Sequence, residues 1–199
     1  MRRLAVIVLA TTFTGGTVAT IAHHDMVKRS APVCHYRHTK SGQPLPDQRC
    51  TPGALNGAVS QATLASTICR AGYTATVRPP AAITGPEKKA SAYAYRYRGS
   101  LSEAEFDHLI PLELGGAANN PLNLWLEPPS PGHQPRQGFA NPKDMVEAGL
   151  NRLVCKAIHL RSHHAGSATS YLPLHIAQQL IVSDWTTALA RARTASVTR

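Results

Sequence analysis

Asp107-His108 sets a carboxylate beside an imidazole, and downstream come Gly115-Gly116, Asn123 and Glu127. A histidine that is neutral near pH 7 can take a proton from water, and a carboxylate can hold a divalent cation. The pair therefore suits phosphodiester hydrolysis assisted by one metal ion. In such a reaction the cation and the base stand on opposite sides of one phosphorus. Successive side chains of a strand point to opposite faces, so a short strand ending in Asp107-His108 separates the two roles. His108 is read as the general base and Asp107 as a metal ligand. An Asp-His pair alone is more often a buried histidine with a structural carboxylate neighbour, so the weight lies in the setting from Glu105 to Pro128.

That setting has the form E-x-D-H-x-I-P-L-x-L-G-G followed by N-L-W-x-E-P. It resembles the first two thirds of the ββα-metal motif of HNH endonucleases, as carried by a group of small secreted bacterial HNH-like proteins. Cys50 to Ala54, Ser66 to Cys69 and Tyr73 to Pro80 are similar to the same group, which extends the resemblance over residues 50–190. The resemblance implies an α+β fold in which a small ββα-metal element is surrounded by helices. It implies an exported endonuclease with one divalent cation, among which Mg, Mn, Ni and Zn are not distinguished. Its partner is nucleic acid, DNA ahead of RNA. An immunity or other protein partner is not specified.

Site roles follow residue by residue. Asn123 matches the central asparagine of the motif, whose side chain bridges backbone groups across the loop and supports catalysis from there; Asn119 and Asn120 are its rivals. Asn141 falls at the third motif position as a second metal ligand. Because Pro142 follows it, Asn141 is explained as well by helix N-capping, and His133 in a Pro-rich loop is the alternative ligand. Glu105 is placed as an acceptor behind His108. Lys88, Lys89, Arg136 and Lys143 flank the motif and are candidates for contact with phosphate, against the rival reading of a solvated charged face. Leu126 departs from the proline usual in the group. A second class of function stays open, an inactive secreted binding or structural protein that keeps the scaffold.

The elements that must carry these residues can be drawn along the chain. Residues 23–49 are rich in His, Pro and charge and read as an extended lead. Val59, Leu64 and Ile68 suit a short helix from Asn56 to Cys69, ended by Gly72. Arg78-Pro79-Pro80 is an extended connector, and a second helix opens at Pro86 and runs through Tyr93, Tyr95 and Tyr97, whose alternation also permits a strand. Strands are expected around Phe106 to Leu112 and Leu124 to Leu126, joined by a loop too long for a tight hairpin turn. Asn141-Pro142 opens a helix through Leu150 and Val154, with Cys155 at its end. Leu174 to Leu189 is a last amphipathic helix, followed by a frayed tail from Arg191 to Arg199.

The 199 residues are one domain's length. Met1-Arg2-Arg3 and the apolar run from Leu4 to Ala22 read as a signal peptide, residues 1–22, with an uncleaved anchor as the alternative. No other segment spans a bilayer, so no stable membrane insertion is expected after cleavage, and the mature chain is placed outside the cytoplasm, secreted or in the cell envelope. Without Arg2 and Arg3 the chain keeps 19 basic side chains against 11 acidic ones, a balance that favours polyanions. Four cysteines in an exported chain, none in a C-x-x-C pair, read as disulfides. They allow three pairings. Cys34 with Cys50 and Cys69 with Cys155 are favoured, the second closing a long loop that contributes about 4 to 5 kcal/mol in the chain-entropy model.

Overall fold

Alternating and helical apolar patterns coexist in this chain, and it accordingly forms both kinds of element. The computed structural model describes residues 33–134, 141–161, 170–195 and 197–198. The predicted signal segment and Arg136 lie outside them. In the described residues the order is β1 Arg37–His38, β2 Pro44–Leu45, a 3₁₀ turn Leu64–Ser66, α1 Tyr73–Val77, α2 Ala81–Ala94, β3 Glu105–His108, a 3₁₀ turn Leu112–Leu114, β4 Leu124–Glu127, α3 Pro142–Arg161, β5 Ser170–Tyr171, α4 Leu174–Ala195 and β6 Val197–Thr198. The strands pair antiparallel in twos, β1 with β2, β3 with β4 and β5 with β6. The α+β class read from the sequence is what forms. No helix among the described residues is long and apolar enough to cross a membrane.

The main core lies between α3 and α4. Leu150 and Val154, one turn apart on α3, meet Ala177, Ile181, Trp185 and Ala188 of α4, all nearly or fully buried. Cys69 is bonded to Cys155, which fastens this core to the segment before α1, and Cys34 is bonded to Cys50. Both favoured pairings are present.

Other expectations need correction. The stretch from Asn56 to Cys69 is a chain of turns with one 3₁₀ segment, because its short polar side chains compete for the backbone. Thr63 Oγ1 donates to Ala58 O at 2.9 Å, and Asn56 Oδ1 accepts from Ala58 N at 3.0 Å. Gly72 precedes a helix, α1, instead of ending one. The second helix starts at Ala81, carries Pro86 inside, and stops at Ala94 because Arg96 turns left-handed at φ 51°. Cys155 lies within α3, not at its end. The last helix continues to Ala195 with a break at Asp184, whose Oδ1 caps the second half by accepting from Thr186 N at 2.9 Å. Residues 191–195 are thus helical, not a frayed tail.

The expected extended lead is also partly regular. β1 and β2 form a small ladder, and this segment docks on the β3–β4 hairpin. Tyr36 stacks on Tyr95 with centroids 4.6 Å apart, beside the fully buried Trp125. Tyr36 OH donates to Leu126 O and Leu126 N donates to Ser91 Oγ, each at 2.9 Å, so the outer edge of β4 is closed by side chains from both flanks.

Candidate functional site

The hairpin aligns Glu105 with Glu127, Phe106 with Leu126, Asp107 with Trp125 and His108 with Leu124. The long connection between its strands is not left to itself. Asn123, fully buried, accepts from Ile110 N at 2.9 Å through Oδ1 and donates from Nδ2 to Ile110 O at 2.9 Å and Ala117 O at 3.1 Å. One amide thus ties both ends of the loop, the backbone-bridging role expected of it. Asn119 and Asn120 have no part in this clamp, and Asn120 Oδ1 accepts from Leu122 N within its own turn. Gly116 is required by the clamp, since a Cβ there would fall 1.8 Å from Ile110 O and 2.7 Å from Asn123 Nδ2. The loop is further pinned from outside, where Gly53 N donates to Leu122 O and Ala117 N donates to Ala54 O.

The clamp places Ala118 O at 2.9 Å from His108 Nε2. A carbonyl can only accept, so Nε2 carries the hydrogen and Nδ1 keeps the lone pair. Burial lowers the His108 pKa below the ordinary value of 6.5, opposed by the Ala118 bond and by Asp107, and assisted by Arg78 and Lys143. The ring is therefore neutral at pH 7 with one nitrogen free to accept. Arg78, exposed at the end of α1, is near enough to act electrostatically on His108, Glu113 and Asp144. In the sequence it reads only as part of a proline connector, and nothing there marks it as a phosphate-binding candidate.

Asp107 faces a different neighbourhood. Its Oδ2 accepts from Trp125 Nε1 at 2.9 Å and pairs with Lys143 Nζ at 2.8 Å. Lys143 is fully buried, donates to His108 O at 2.9 Å and pairs with Glu147 one turn along α3. Burial opposes its charge, but Asp107 and Glu147 outweigh this and hold its pKa above the ordinary lysine range. Lys143 is therefore not a phosphate clamp: its ammonium is engaged inside the protein, where it fastens α3 to the end of β3. Sequence reasoning misses this because a lysine after a helix N-cap looks like any surface cation. The i,i+4 spacing of Lys143 and Glu147 is the available signal.

Asn141 is the N-cap of α3, with Oδ1 accepting from Lys143 N at 3.0 Å, and its Nδ2 donates to Glu105 Oε2 at 3.2 Å. Glu105 thus backs Asn141 and not His108, as the alternation of side chains along β3 requires. The sequence-predicted residues Asp107, Asn141 and Glu105 come together on one side of the hairpin, while His108 belongs to the other. His133 does not join them; its Nε2 lies 2.6 Å from Glu103 Oε2. Lys88 is partly buried and feels Glu105, and Lys89 is exposed.

Glu127, to which the sequence gives no site role, is the most unusual residue here. It is 2% exposed, and neither carboxylate oxygen has a hydrogen bond of normal geometry, the Asn141 amide being the adjacent donor. Burial pushes its pKa well above the carboxylate range, Asp107 and Glu105 push it further, and Lys143 and the adjacent Asn141 amide oppose. Burial likewise raises Glu105 and Asp144. Around one ammonium, then, stand Glu105, Asp107, Glu127 and Glu147, more carboxyl groups than Lys143 alone can hold ionised; burial pushes Glu105, Glu127 and Glu147 toward their neutral forms, and a cation would favour them as carboxylates. The oxygen-only donor set suits a hard divalent ion. Among the described residues no three His, Cys, Asp or Glu side chains converge as metal ligands, so a cation here would draw on the Asn141 amide together with carboxylates.

No protein-family model, curated protein or solved structure matches the chain.

Proposed function

We propose that the chain is an exported, metal-dependent endonuclease of the HNH type that hydrolyses phosphodiester bonds of nucleic acid, DNA ahead of RNA. One observation carries the reading: His108 is held neutral, with Nε2 donating to Ala118 O and Nδ1 left to accept a proton. The resemblance of the Glu105 to Pro128 segment to the ββα-metal motif adds the reaction class, and the chain's net charge of +10 adds the polyanionic substrate.

In the reaction, water attacks phosphorus, its proton passes to His108 Nδ1, and the bond to the leaving oxygen breaks. Asn123 acts through the backbone, fixing the loop whose Ala118 carbonyl sets the His108 tautomer. Lys143 joins the His108 carbonyl to the Asp107 carboxylate, so base and ligand keep a fixed relation at the end of β3. Asp107 and Asn141 would hold the cation. A bound divalent ion supplies charge stabilisation for the phosphate and the leaving oxygen. Arg78 is the exposed cation beside His108 and takes over the phosphate-contact role that buried Lys143 cannot fill.

The competing reading, an inactive secreted binding or structural protein, draws on the Lys143 ammonium bonded to Asp107 Oδ2. Purified, disulfide-intact protein is expected to nick supercoiled DNA when magnesium, manganese or nickel is added and to stop when a chelator removes it, with Asp107→Ala imitating the chelator. If a folded sample cleaves neither DNA nor RNA with any of these ions, the nuclease reading falls and the binding-protein reading replaces it.

A further inference from the structure

Most of the buried polar groups near the hairpin are satisfied. Asn123 uses both ends of its amide, Trp125 Nε1 reaches Asp107, and Lys143 has three oxygens. Glu127 is the exception: a side chain 2% exposed, with neither oxygen in a hydrogen bond of normal geometry and the adjacent Asn141 amide as a weak donor. Buried carboxylates in folded proteins are paired or hydrogen-bonded almost without exception, and one that is not points to a functional role or to an ion.

Its neighbours narrow the choice. Glu127 stands directly across the ladder from Glu105, and the next residues on the same face, Asp107 and Trp125, are also paired. Both bonds that Asp107 makes through its side chain fall on Oδ2, which leaves Oδ1. Asn141 has its amide fixed by Glu105 at Nδ2 and by Lys143 N at Oδ1, and a carbonyl oxygen retains a second lone pair. Two carboxylates and one amide oxygen are hard donors, the set that oxygen-preferring divalent cations take.

We propose that Glu127 is a direct ligand of the divalent cation, completing a site with Asp107 and the Asn141 amide oxygen. This rests on the metal-dependent reading above but assigns a ligand which that reading lacks. Lys143, already paired with Asp107 and Glu147, remains in place as the fixed monovalent partner of the cluster, and the divalent ion offsets the carboxylate that Lys143 does not reach.

The probe is terbium ion alone, titrated into the full mature disulfide-bonded protein, with emission excited through the indole of Trp125, whose Nε1 is 2.9 Å from Asp107 Oδ2. The wild-type chain is expected to give saturable sensitised emission that manganese displaces. Glu127→Gln, which keeps the shape and removes the charge, is expected to weaken the apparent affinity by roughly tenfold or more, as loss of a metal-site carboxylate does. If Glu127→Gln loses its fold by circular dichroism, Glu127→Asp replaces it, expected to weaken affinity in the same direction by retracting the carboxylate. Wild-type affinity in the folded variant, or no saturable binding in the wild-type chain, overturns the proposal. DNA cleavage measured on the same samples separates the two ideas. Metal-dependent cleavage with Glu127 irrelevant to terbium leaves the nuclease and removes the ligand. Glu127-dependent terbium binding without cleavage leaves the ligand and removes the nuclease.

Discussion

The α3–α4 core and the β3–β4 site are equally buried and chemically opposite. Leu150, Ile181 and Ala188 on one side, and Lys143, Asn123 and Glu127 on the other, all have almost no exposure. The core is stabilised by removing apolar surface from water, an effect that has no direction and does not depend on pH. The site is held by directed pairs whose members are costly when alone: Lys143 to Asp107 and Glu147, Asn123 to Ile110 and Ala117. The molecule thus concentrates its burial cost where an imidazole and carboxylates must be held in position, and the α3–α4 core, with α3 tied to Cys69 through Cys155, provides stability that offsets it.

Substitution at matched burial should break the comparison open. Lys143→Ala leaves Asp107 and Glu147 buried without their counter-ion and is expected to lower stability to urea by about 3 to 5 kcal/mol at pH 7.5. The loss should shrink at pH 5, because burial raises the Glu147 pKa to about 8 and a protonated Glu147 no longer needs the ammonium. Leu150→Ala is expected to cost about 2 to 5 kcal/mol through its cavity, with no such pH dependence. Equal pH profiles for the two variants would mean that the site is not held by charge pairing.

A smaller effect is expected on stability, and a large one on rate, at His108. His108→Ala should keep its fold by circular dichroism and lose roughly a hundredfold in plasmid nicking, the loss expected of a general base. Because the base must be deprotonated and burial lowers its pKa, the acid limb of the wild-type pH–rate profile should lie below the 6.5 of an ordinary histidine. An acid limb above that value assigns the base to another group.

Asn141→Ala is the finest probe, since the residue serves both as N-cap and as candidate ligand. Loss of the cap alone should cost about 1 kcal/mol, with metal dependence unchanged. A ligand's loss should instead raise the metal concentration needed for cleavage, with rescue by excess metal.

Much of this is legible in the chain. The helical spacing of Leu150 and Val154 and of Ala177, Ile181 and Ala188 marks the two core helices, because burying one face of a helix demands that period. An even cysteine count with no C-x-x-C pair marks the disulfides. Asp107, His108 and Asn123 stand out by residue type, and alternation along a strand already separates His108 from Asp107. The turns of residues 56–69 read as helix only while apolar spacing is weighed above the Ser, Thr and Asn side chains that rebond the backbone there.

What only the tertiary structure decides is which charges face one another. That Lys143 is buried beneath the hairpin, that Glu105 turns to Asn141, and that Glu127 stands without a hydrogen bond of normal geometry all depend on how α3 docks against β3 and β4. Sequence spacing fixes side-chain direction within one element, where backbone geometry repeats. It does not fix the partner across elements, because that partner is set by packing over the whole chain, and in a low-dielectric interior the partner determines whether a lysine is a surface cation or the centre of a buried charge cluster.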